Sequence, residues 1–464
     1  MIRHLSWILV TLMGSAVIWA PLPFGSVTPW ATAILQVTAF TLLGLALFRA
    51  RSLEFFQPVL APVAALAGIT LLGLLQSASL PAAVVEVVSP AHAEIYRQAS
   101  DLSTEAGGQP VPSRLTHSAD VSRRTALTWA AWAALLAAAI VAGRHVVHRR
   151  WLGVSVLVAA GFQVLYGMER WLGAVSTIWE IPVPGAPDRL RGTFVNPDHF
   201  AFFLELALGV CFAWLWWAIR HWKRTESLEM RLLLVVPPVV LWIAGFVALA
   251  FSGSRGALLA ALAGVAVQSL LLSPSLRRPR TLILGGGLLA GGLAGVAALG
   301  ARYGFGRLLE TSAYELTWGT RLQALGRSLE LWRSYLWTGV GLGTFRDAFP
   351  AVQPPELAGT WSHAHSDLLE LGVTTGVVGV CLAAVGLIFL LRRLGRVFCD
   401  ALRSEDRAAA LAAFGVLASA LVHEALDFGL TMPANAFVLT VICGAACGAR
   451  LAPPSAAEER RRFR

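Results

Sequence analysis

The stretch HAHSDLLELGVTTGVVGVCLAAVGLIFLL, residues 363–391, decides the fold class of this chain. From Leu368 to Leu391 it is apolar and long enough to cross a lipid bilayer as a helix. Just before this run stand His363, His365 and Asp367. Titratable side chains at a membrane boundary are costly unless they are solvated or used. The stretch therefore predicts a membrane helix with a functional polar start.

The composition of the whole chain agrees with a membrane protein. Hydrophobic residues make up 56% of the 464 residues, charged residues 14%, and the mean hydropathy is +0.65. This profile is typical of multi-pass membrane proteins. The net charge is +10, but no compact basic domain is present to carry a nucleic-acid duplex. We attribute the positive charge to cytoplasmic loops and an anionic substrate, and expect no nucleic-acid partner.

Apolar runs of membrane-spanning length recur along the chain and predict an all-α integral membrane protein with about twelve transmembrane helices. The predicted spans are 5–21, 29–48, 58–77, 125–143, 151–168, 199–219, 232–252, 256–273, 281–300, 366–391, 405–425 and 432–451. We expect Pro237–Pro238 to kink the seventh span, and the glycines of the ninth span to permit close helix packing. Residues 1–464 are expected to form a single transmembrane domain.

Short basic connections set the predicted orientation, because arginine and lysine are enriched in cytoplasmic loops. Alternate connections and the tail carry these clusters: Arg49 and Arg51; Arg144, Arg149 and Arg150; Arg220, Lys223 and Arg224; Arg277, Arg278 and Arg280; Arg392, Arg393 and Arg396; and Arg460, Arg461, Arg462 and Arg464. All lie on one side if both termini are cytoplasmic. The longer connections 78–124, 169–198 and 301–365 then lie on the opposite side.

Two surface helices are predicted within these long connections. The first is a short amphipathic helix around Pro90–Ser100. The second has one apolar face, formed by Leu322, Leu325, Leu329, Trp332 and Leu336. Helical spacing of apolar side chains beside a polar face is typical of a helix that lies on a membrane surface.

Two arginines stand at the boundary of predicted spans on the side of the long connections. Arg191 begins RGTFVNPDHF, and Arg255 lies in FSGSRGALL, in a connection too short to leave the bilayer edge. Guanidinium groups bind phosphate oxygens in a bidentate fork, so the pair is suited to clamp a phosphate or pyrophosphate. The alternative is structural: each arginine bonds helix-end carbonyls or extends to lipid headgroups.

The histidines at 363 and 365 are the best candidates for a general base, since histidine titrates near neutral pH, and Asp367 could orient a ring. The alternative is a pair of surface histidines at a helix start, with Asp367 interacting with the helix dipole. Glu370 is either buried in the bundle or a second acid. A metal site is not expected, because no further ligands at zinc-like spacing accompany the two histidines.

Other local patterns favour structural roles. Asn196 or Asp198 is expected to cap the sixth span, with His199 beside them as a possible ligand. Glu169–Arg170 is predicted to form an ion pair. The glycines at 339, 341 and 343 imitate part of a dinucleotide fingerprint, but no strand precedes them, so we reject a nucleotide site. The five cysteines predict no disulfide.

Four motifs in order resemble those of the bacterial O-antigen ligase/polymerase superfamily. They are RGTFVNPDHFAFFLE from residue 191, SGSRGALL from 252, TRLQALGRSLELWRSYLWTGVGLGTF from 320 and HAHSDLLELGVTTGVVG from 363. Three positions depart from the family pattern. Ser366 stands where asparagine is frequent, Thr374 where an acid is common, and Leu336–Trp337–Thr338 where a proline is usual.

The resemblance implies a multi-helix inner-membrane glycosyltransferase that needs no cofactor and no metal. Such enzymes pass a glycan from undecaprenyl pyrophosphate to an acceptor sugar hydroxyl at the periplasmic face of the bilayer. The resemblance assigns Arg191, Arg255 and Arg321 to the pyrophosphate, and His365 to the proton of the acceptor hydroxyl or its positioning. We expect supporting roles from the remaining polar residues: His363, Asp367, His199, Asn196 and Glu370.

Several functions stay open at this stage. The acceptor of a ligase would be lipid A core, that of a polymerase a growing polysaccharide, and a protein acceptor is a third alternative. A secondary anion transporter would need polar residues near the middle of several spans, whereas here they gather at the outer boundary. A scaffold that only binds a lipid-linked glycan would make His365 dispensable.

Overall fold

The structure is a computed structural model that describes residues 2–50, 52–183, 189–225, 227–272, 279–303 and 318–451. Its α-helices are α1 Ile2–Trp19, α2 Pro29–Arg49, α3 Leu60–Ser77, α4 Ala82–Val88, α5 Pro90–Glu105, α6 Ala119–Ala142, α7 Val146–Leu172, α8 Pro197–His221, α9 Leu228–Phe251, α10 Arg255–Leu271, α11 Pro279–Tyr303, α12 Trp318–Ser334, α13 Phe345–Ala348, α14 Asp367–Asp400, α15 Ser404–Leu426 and α16 Pro433–Cys447. Strands β1 Thr177–Ile178 and β2 Ile181–Pro182 pair antiparallel.

The protein is an all-α multi-pass membrane protein, as the hydropathy predicted. Within the described ranges, eight helices are long and apolar enough to cross a membrane, and four shorter apolar helices accompany them. Each predicted span overlaps one of these helices. The following members of the basic clusters lie outside the described residues: Arg51, Arg277, Arg278, Arg460, Arg461, Arg462 and Arg464.

Consecutive membrane helices alternate in direction. We call the end at which α2, α6 and α8 begin the loop end, because the connections 78–118 and 318–366 lie there. The opposite end, where α6 joins α7 and α14 joins α15 through short connections, is the short-turn end.

The helix α8 is the centre of the bundle. Within its most apolar window 83% of the residues are buried, against 28% for α2. It packs on α7, α9, α10 and α15, and Phe200, Phe202, Phe203 and Phe212 are fully buried along it. A helix that is apolar all round belongs in the core. The first turn of α8, at the loop end, is therefore held rigidly.

The helix α9 is continuous through Pro237 and Pro238. Proline at position 238 cannot donate to the carbonyl of Leu234, four residues earlier. That carbonyl instead accepts a hydrogen bond from the indole Nε1 of Trp214 on α8, at 3.2 Å. A neighbouring helix thus supplies the missing donor, as proline within membrane helices requires.

Three glycines of α11, Gly291, Gly292 and Gly295, pack closely against α9. A Cβ at Gly292 would lie 2.7 Å from the ring of Phe246, and one at Gly295 would lie 2.7 Å from Val247. All five cysteines are unpaired by disulfides, and Cys443 and Cys447 are buried.

The helix α14 departs from the expected single span over 366–391. Gly376 has φ +64° and ψ −168°, outside the helical region, which divides α14 into the segments 367–375 and 377–400. The second segment alone is long enough to cross a bilayer. The first segment, with Asp367 and Glu370, is a separate short helix at the loop end.

Residues 336–340 supply hydrogen-bond partners for the backbone groups at the break in α14. The N–H of Val340 donates to the carbonyl of Val373 at 2.8 Å, and the N–H of Val377 donates to the carbonyl of Leu336 at 2.9 Å. Backbone groups that the break at Gly376 releases are thereby paired within the protein, which costs less than exposing them to lipid.

The side chain of Gln76, at the end of α3, joins the same junction. Its Nε2 donates to the carbonyls of Thr338 at 2.6 Å and Thr374 at 3.1 Å, and its Oε1 accepts from the N–H of Leu342 at 2.9 Å. Gln76 is fully buried. The side-chain amide of Gln76 therefore connects α3, the loop that contains Thr338 and Leu342, and the first segment of α14.

Both predicted surface helices are present, as α5 and α12. In α12 the buried residues are Ala324, Ser328 and Leu331, which pack towards the protein. On the predicted apolar face, Leu322 and Leu329 are 60% and 37% exposed. Exposed leucines on a helix at the loop end are what a helix resting on a membrane surface would present.

We predict that Gly376→Ala and Gly339→Ala each destabilise the protein by roughly 2 kcal/mol or more. Both glycines have positive φ, and a Cβ would lie 2.3 Å from the carbonyl carbon of Trp337 or 2.4 Å from that of Thr374. The measurement is the apparent Tm of the purified protein in detergent. The control is Gly286→Ala in α11, where a Cβ meets open space and the apparent Tm should stay equal or rise. Equal Tm values for all three variants would contradict the prediction.

Candidate active site

The ring of Phe428, just beyond α15, contacts three histidines at the loop end. His363 stacks on it with ring centroids 4.4 Å apart, His365 meets it edge-on at 4.9 Å, and His199 meets it edge-on at 4.8 Å. Two of these histidines precede α14, and the third is on the first turn of α8. The fold thus brings together imidazoles that are more than 160 residues apart in the sequence.

The predicted base, His365, has a backbone conformation that side chains rarely adopt. Its φ is +53°, in the left-handed region. Its Nδ1 lies 3.5 Å from Oδ1 of Asp427, and its ring meets Trp361 edge-on at 5.5 Å. The side chain is 20% exposed, so the ring is partly open to solvent. Strained conformations of this kind persist where the surroundings hold them, and they cluster at functional sites.

The carboxylate of Asp427 is the acidic group closest to His365. Burial acts to raise the pKa of Asp427, but its contact with His365 and the positive charge of Arg321 outweigh burial and hold the pKa well below its usual range. The guanidinium of Arg321 is also 3.5 Å from the carbonyl oxygen of Leu426. The arrangement therefore places an ionised carboxylate between a histidine and an arginine.

Asp367 lies in a different position from the one expected of a residue that orients a histidine. Its Oδ2 accepts hydrogen bonds from the N–H groups of Leu430 at 3.0 Å and Thr431 at 3.1 Å. The carboxylate beside the His365 ring is that of Asp427. Asp367 thus fixes the loop 427–431, which carries Asp427 and Phe428.

The carboxyl group of Glu424 also holds this loop, and it shares the N–H of Leu430 with Asp367. Oε2 of Glu424 accepts from the N–H groups of Gly429 at 3.0 Å and Leu430 at 3.1 Å. The hydroxyl of Ser366 donates to the carbonyl of Glu424 at 3.1 Å and caps α14 by accepting from the N–H of Leu369. The segment before α14 and the segment after α15 are therefore locked to each other.

His363 forms an ion pair with Glu370, whose Oε1 lies 3.1 Å from the histidine Nδ1. Oε2 of Glu370 accepts from the N–H of Ala364 at 2.9 Å. Burial lowers the pKa of His363, but the hydrogen bond and charge of Glu370 outweigh it, so the pKa is raised above its ordinary value. The pair anchors the turn that contains His365.

At the start of α8, Asn196 caps the helix by accepting from the N–H of Asp198 at 2.9 Å. Its Nδ2 lies 3.4 Å from Nε2 of His199. The carbonyl of His199 accepts from the buried side chain of Asn435 at 3.1 Å. The capping role predicted for Asn196 is confirmed, and the same side chain contacts the ring of His199.

Arg191 is buried in the turn before that cap, and its Nη1 approaches the carbonyl oxygen of Val195 at 3.4 Å. With Arg170 and Arg189 it lines a small cavity. Arg189 forms an ion pair with Asp198 at 2.7 Å. Arg170 has partners in Glu169 at 3.3 Å, the predicted pair, and in Glu180 at 2.7 Å.

Arg255 is exposed at the first position of α10. A Cβ at the next residue, Gly256, would lie 3.5 Å from Cβ of Leu426. Arg255 and Arg321 therefore both lie close to the end of α15, where the loop with Asp427 begins. Arg191 reaches the same end of the bundle through the start of α8.

The structure groups the predicted residues in two parts. The histidines, Arg321, Asp367 and Glu370 lie around the loop 427–431, whereas Arg191 lies in the turn before α8 and Arg255 at the first position of α10. Sequence reasoning missed the role of Phe428 and the contact of Asp427 with His365. The signal available for both was the sequence LVHEALDFGL, where acidic, aromatic and glycine residues follow a membrane helix.

We predict a pH-dependent stability from the pair of His363 and Glu370. Because folding raises the pKa of His363, the stabilisation is fully present below the unfolded pKa and is lost as pH rises through the folded pKa. The apparent Tm of the wild type should exceed that of His363→Gln by more at pH 6 than at pH 9. His4→Gln, at an exposed position, is the control. A Tm difference that is constant with pH would contradict the role of the pair.

Comparison with known families gives one match, to the family model described as O-antigen ligase, over residues 239–384. Comparison with curated proteins gives no match. The matched range contains Arg255, Arg321 and the segment from His363 to Glu370. Arg191, His199 and the loop 427–431 lie outside the matched range, and the fold brings His199 and this loop into contact with that segment.

Proposed function

The chain is a member of the O-antigen ligase superfamily, and from this premise we propose that it transfers a glycan from undecaprenyl pyrophosphate to an acceptor sugar hydroxyl at the periplasmic face of the inner membrane. The observation that carries the proposal is His365, held beside the ionised carboxylate of Asp427 at the end of the bundle where the arginines gather. Family membership supports a ligase-like glycosyltransferase, and the donor, acceptor and membrane side are our proposal.

In the proposed reaction His365 accepts the proton of the acceptor hydroxyl. The hydroxyl oxygen attacks the anomeric carbon of the donor glycan as the bond from that carbon to the pyrophosphate oxygen breaks. Undecaprenyl pyrophosphate leaves with the electron pair of that bond. With Nδ1 of His365 facing Asp427, Nε2 is the nitrogen that takes the proton, and Asp427 stabilises the imidazolium that forms. A single displacement of this kind inverts the anomeric centre.

The arginines act on the leaving group. Negative charge grows on the pyrophosphate as the glycosidic bond breaks, and fixed positive groups stabilise that charge most in the transition state. In this proposal Arg191, in the turn before α8, and Arg255, at the first position of α10, hold the two phosphates, and Arg321 adds charge next to Asp427. Guanidinium forks suit this task because they bind phosphate oxygens in pairs.

The acceptor distinguishes ligase from polymerase. The chemistry above is the same whether the hydroxyl belongs to lipid A core or to a growing polysaccharide. The family description favours the ligase, and we propose lipid A core as the acceptor. The connections 78–118 and 318–366, at the loop end, are where we place acceptor choice, because recognition residues concentrate on loops held by a rigid scaffold.

A buried ion pair is the reason to test for transport as well as for glycan transfer. Within the bundle, Nδ1 of His423 lies 2.7 Å from Oε1 of Glu205, and both side chains are fully buried. Ion pairs inside membrane spans are frequent in transport pathways. A transporter would move an anionic solute across liposomes in the absence of any glycan acceptor, and this assay separates it from the enzyme.

We predict that His365→Ala, Arg191→Ala and Arg255→Ala each lower transfer by about a hundredfold or more, because each removes a group that acts in the transition state. The assay uses protein reconstituted in liposomes with an undecaprenyl-pyrophosphate glycan and lipid A core. The control is Arg346→Ala, at an exposed arginine of α13, which should transfer at the wild-type rate. Normal transfer by all three site variants would remove our site assignment. Polymer formation without lipid A core would instead identify a polymerase.

We predict that Asp427→Asn lowers kcat by about tenfold to a hundredfold with little change in the KM for the donor. Asp427 acts through His365 rather than on the substrate, so its loss weakens the base without removing a binding contact. Asp427→Glu should recover part of kcat, and Asp347→Asn, at an exposed position of α13, should leave both constants unchanged. An increase in KM at unchanged kcat would contradict a positioning role.

A further inference from the structure

A second basic site lies at the short-turn end, on the far side of the bundle from the histidines. The start of α1, the end of α2, the turn between α6 and α7 and the end of the described chain line a cavity. Its lining residues are Ser6, Leu9, Arg49, Phe55, Val141, Ala142, Arg144, His145, His148 and Arg450. We call this cavity the basic pocket. None of these described lining residues is a carboxylate.

Among the described residues, the arginines of the basic pocket have no acidic partner, whereas neighbouring arginines do. On the adjacent turn, Arg149 forms an ion pair with Asp406, and Arg150 forms one with Glu405. Over the described part of the chain, no acidic group pairs with Arg49, Arg144 or Arg450. Acidic partners are therefore available at this end of the bundle, but none is among the described residues that line the pocket.

Two of the cations are held in place by uncharged groups. Nε of Arg49 donates to the hydroxyl of Ser6 at 2.8 Å, and the guanidinium of Arg144 lies 4.1 Å from the ring centroid of Phe55. Burial lowers the pKa of Arg144, and the charges of Arg450 and Arg49 lower it further. Converging cations repel each other, and an anion bound among them reverses this cost.

We propose that the basic pocket binds a phosphate group, supplied by the headgroup of an anionic phospholipid. Arg49, Arg144 and Arg450 contact the phosphate oxygens, and His145 is at the rim. A phosphodiester anion matches guanidinium donors in geometry and charge, and basic pockets between membrane helices are suited to acidic lipid headgroups.

The surface beside the basic pocket supplies a path for acyl chains. Trp7 and Ile8 on α1 are 43% and 53% exposed, and Phe48, which precedes Arg49 on α2, is 74% exposed. These side chains lie on apolar helices next to the pocket residues Ser6 and Arg49. The acyl chains of a lipid whose headgroup is bound in the pocket would run along them. A free phosphate ion would occupy the pocket without using this surface, so lipid and free phosphate can be told apart.

The experiment measures binding to the full-length protein, purified in a neutral detergent, by native mass spectrometry. Three probes are compared: a short-chain phosphatidylglycerol, the matched phosphatidylcholine, and inorganic phosphate. The test variant is Arg144→Gln combined with Arg450→Gln. The matched control is Arg224→Gln combined with Arg396→Gln, which removes the same charge from exposed positions at the same end. Apparent Tm values establish that each variant is folded, and Arg450→Gln alone serves if the double variant is not.

We expect phosphatidylglycerol to bind the wild type and the control equally, and the test variant about tenfold or more weakly, since each arginine near a lipid phosphate contributes about 1 kcal/mol. Phosphatidylcholine should bind weakly to all three proteins. If inorganic phosphate competes as strongly as phosphatidylglycerol itself, the pocket is a phosphate site, but the proposal that a lipid headgroup supplies the phosphate is overturned. Equal phosphatidylglycerol binding by test and control variants would overturn the site.

Discussion

The site depends on how the protein pairs the backbone groups at a broken helix. Lipid offers no hydrogen bonds, so a helix that stops inside or at the edge of a bilayer must find partners from its own chain. Here residues 336–340 supply them, and Gln76 joins this part of the chain to the first segment of α14 with three hydrogen bonds. Gly339 and Gly376 make the contact possible, because a side chain at either position would overlap the opposite backbone.

The break at Gly376 separates the tasks of the two segments of α14. Residues 377–400 cross the bilayer, whereas residues 367–375 set the position of the histidine turn. Because residues 367–375 do not continue the membrane helix, contacts at the loop end set the direction of this short segment. Asp367 and Glu424 then hold the loop 427–431 against it. The resulting contact between His365 and Asp427 needs no residue from the membrane interior.

Hydropathy predicted the membrane helices because apolar length is a local property, and the histidines and arginines were visible because polar residues are rare at span ends. The break in α14 was not predicted, since the run around Gly376 stays apolar on both sides. The partner of His365 was expected to be Asp367, its neighbour in sequence. The structure gives Asp427, because the end of α15 lies against the start of α14. Single-sequence patterns do not report such contacts between distant segments.

Arginines at the two ends of the bundle obey different constraints. The positive-inside rule would account for the abundance of arginine at the short-turn end if that end is cytoplasmic, but the rule concerns the number of arginines and not whether they converge. It leaves open why Arg149 and Arg150 have carboxylate partners, whereas Arg49, Arg144 and Arg450 share a cavity in which no described lining residue is a carboxylate. At the loop end the rule disfavours arginine, and yet Arg321 lies beside Asp427 and Arg189 beside Asp198. In both places our proposal of anion binding rests on the position of the charges rather than on their sum.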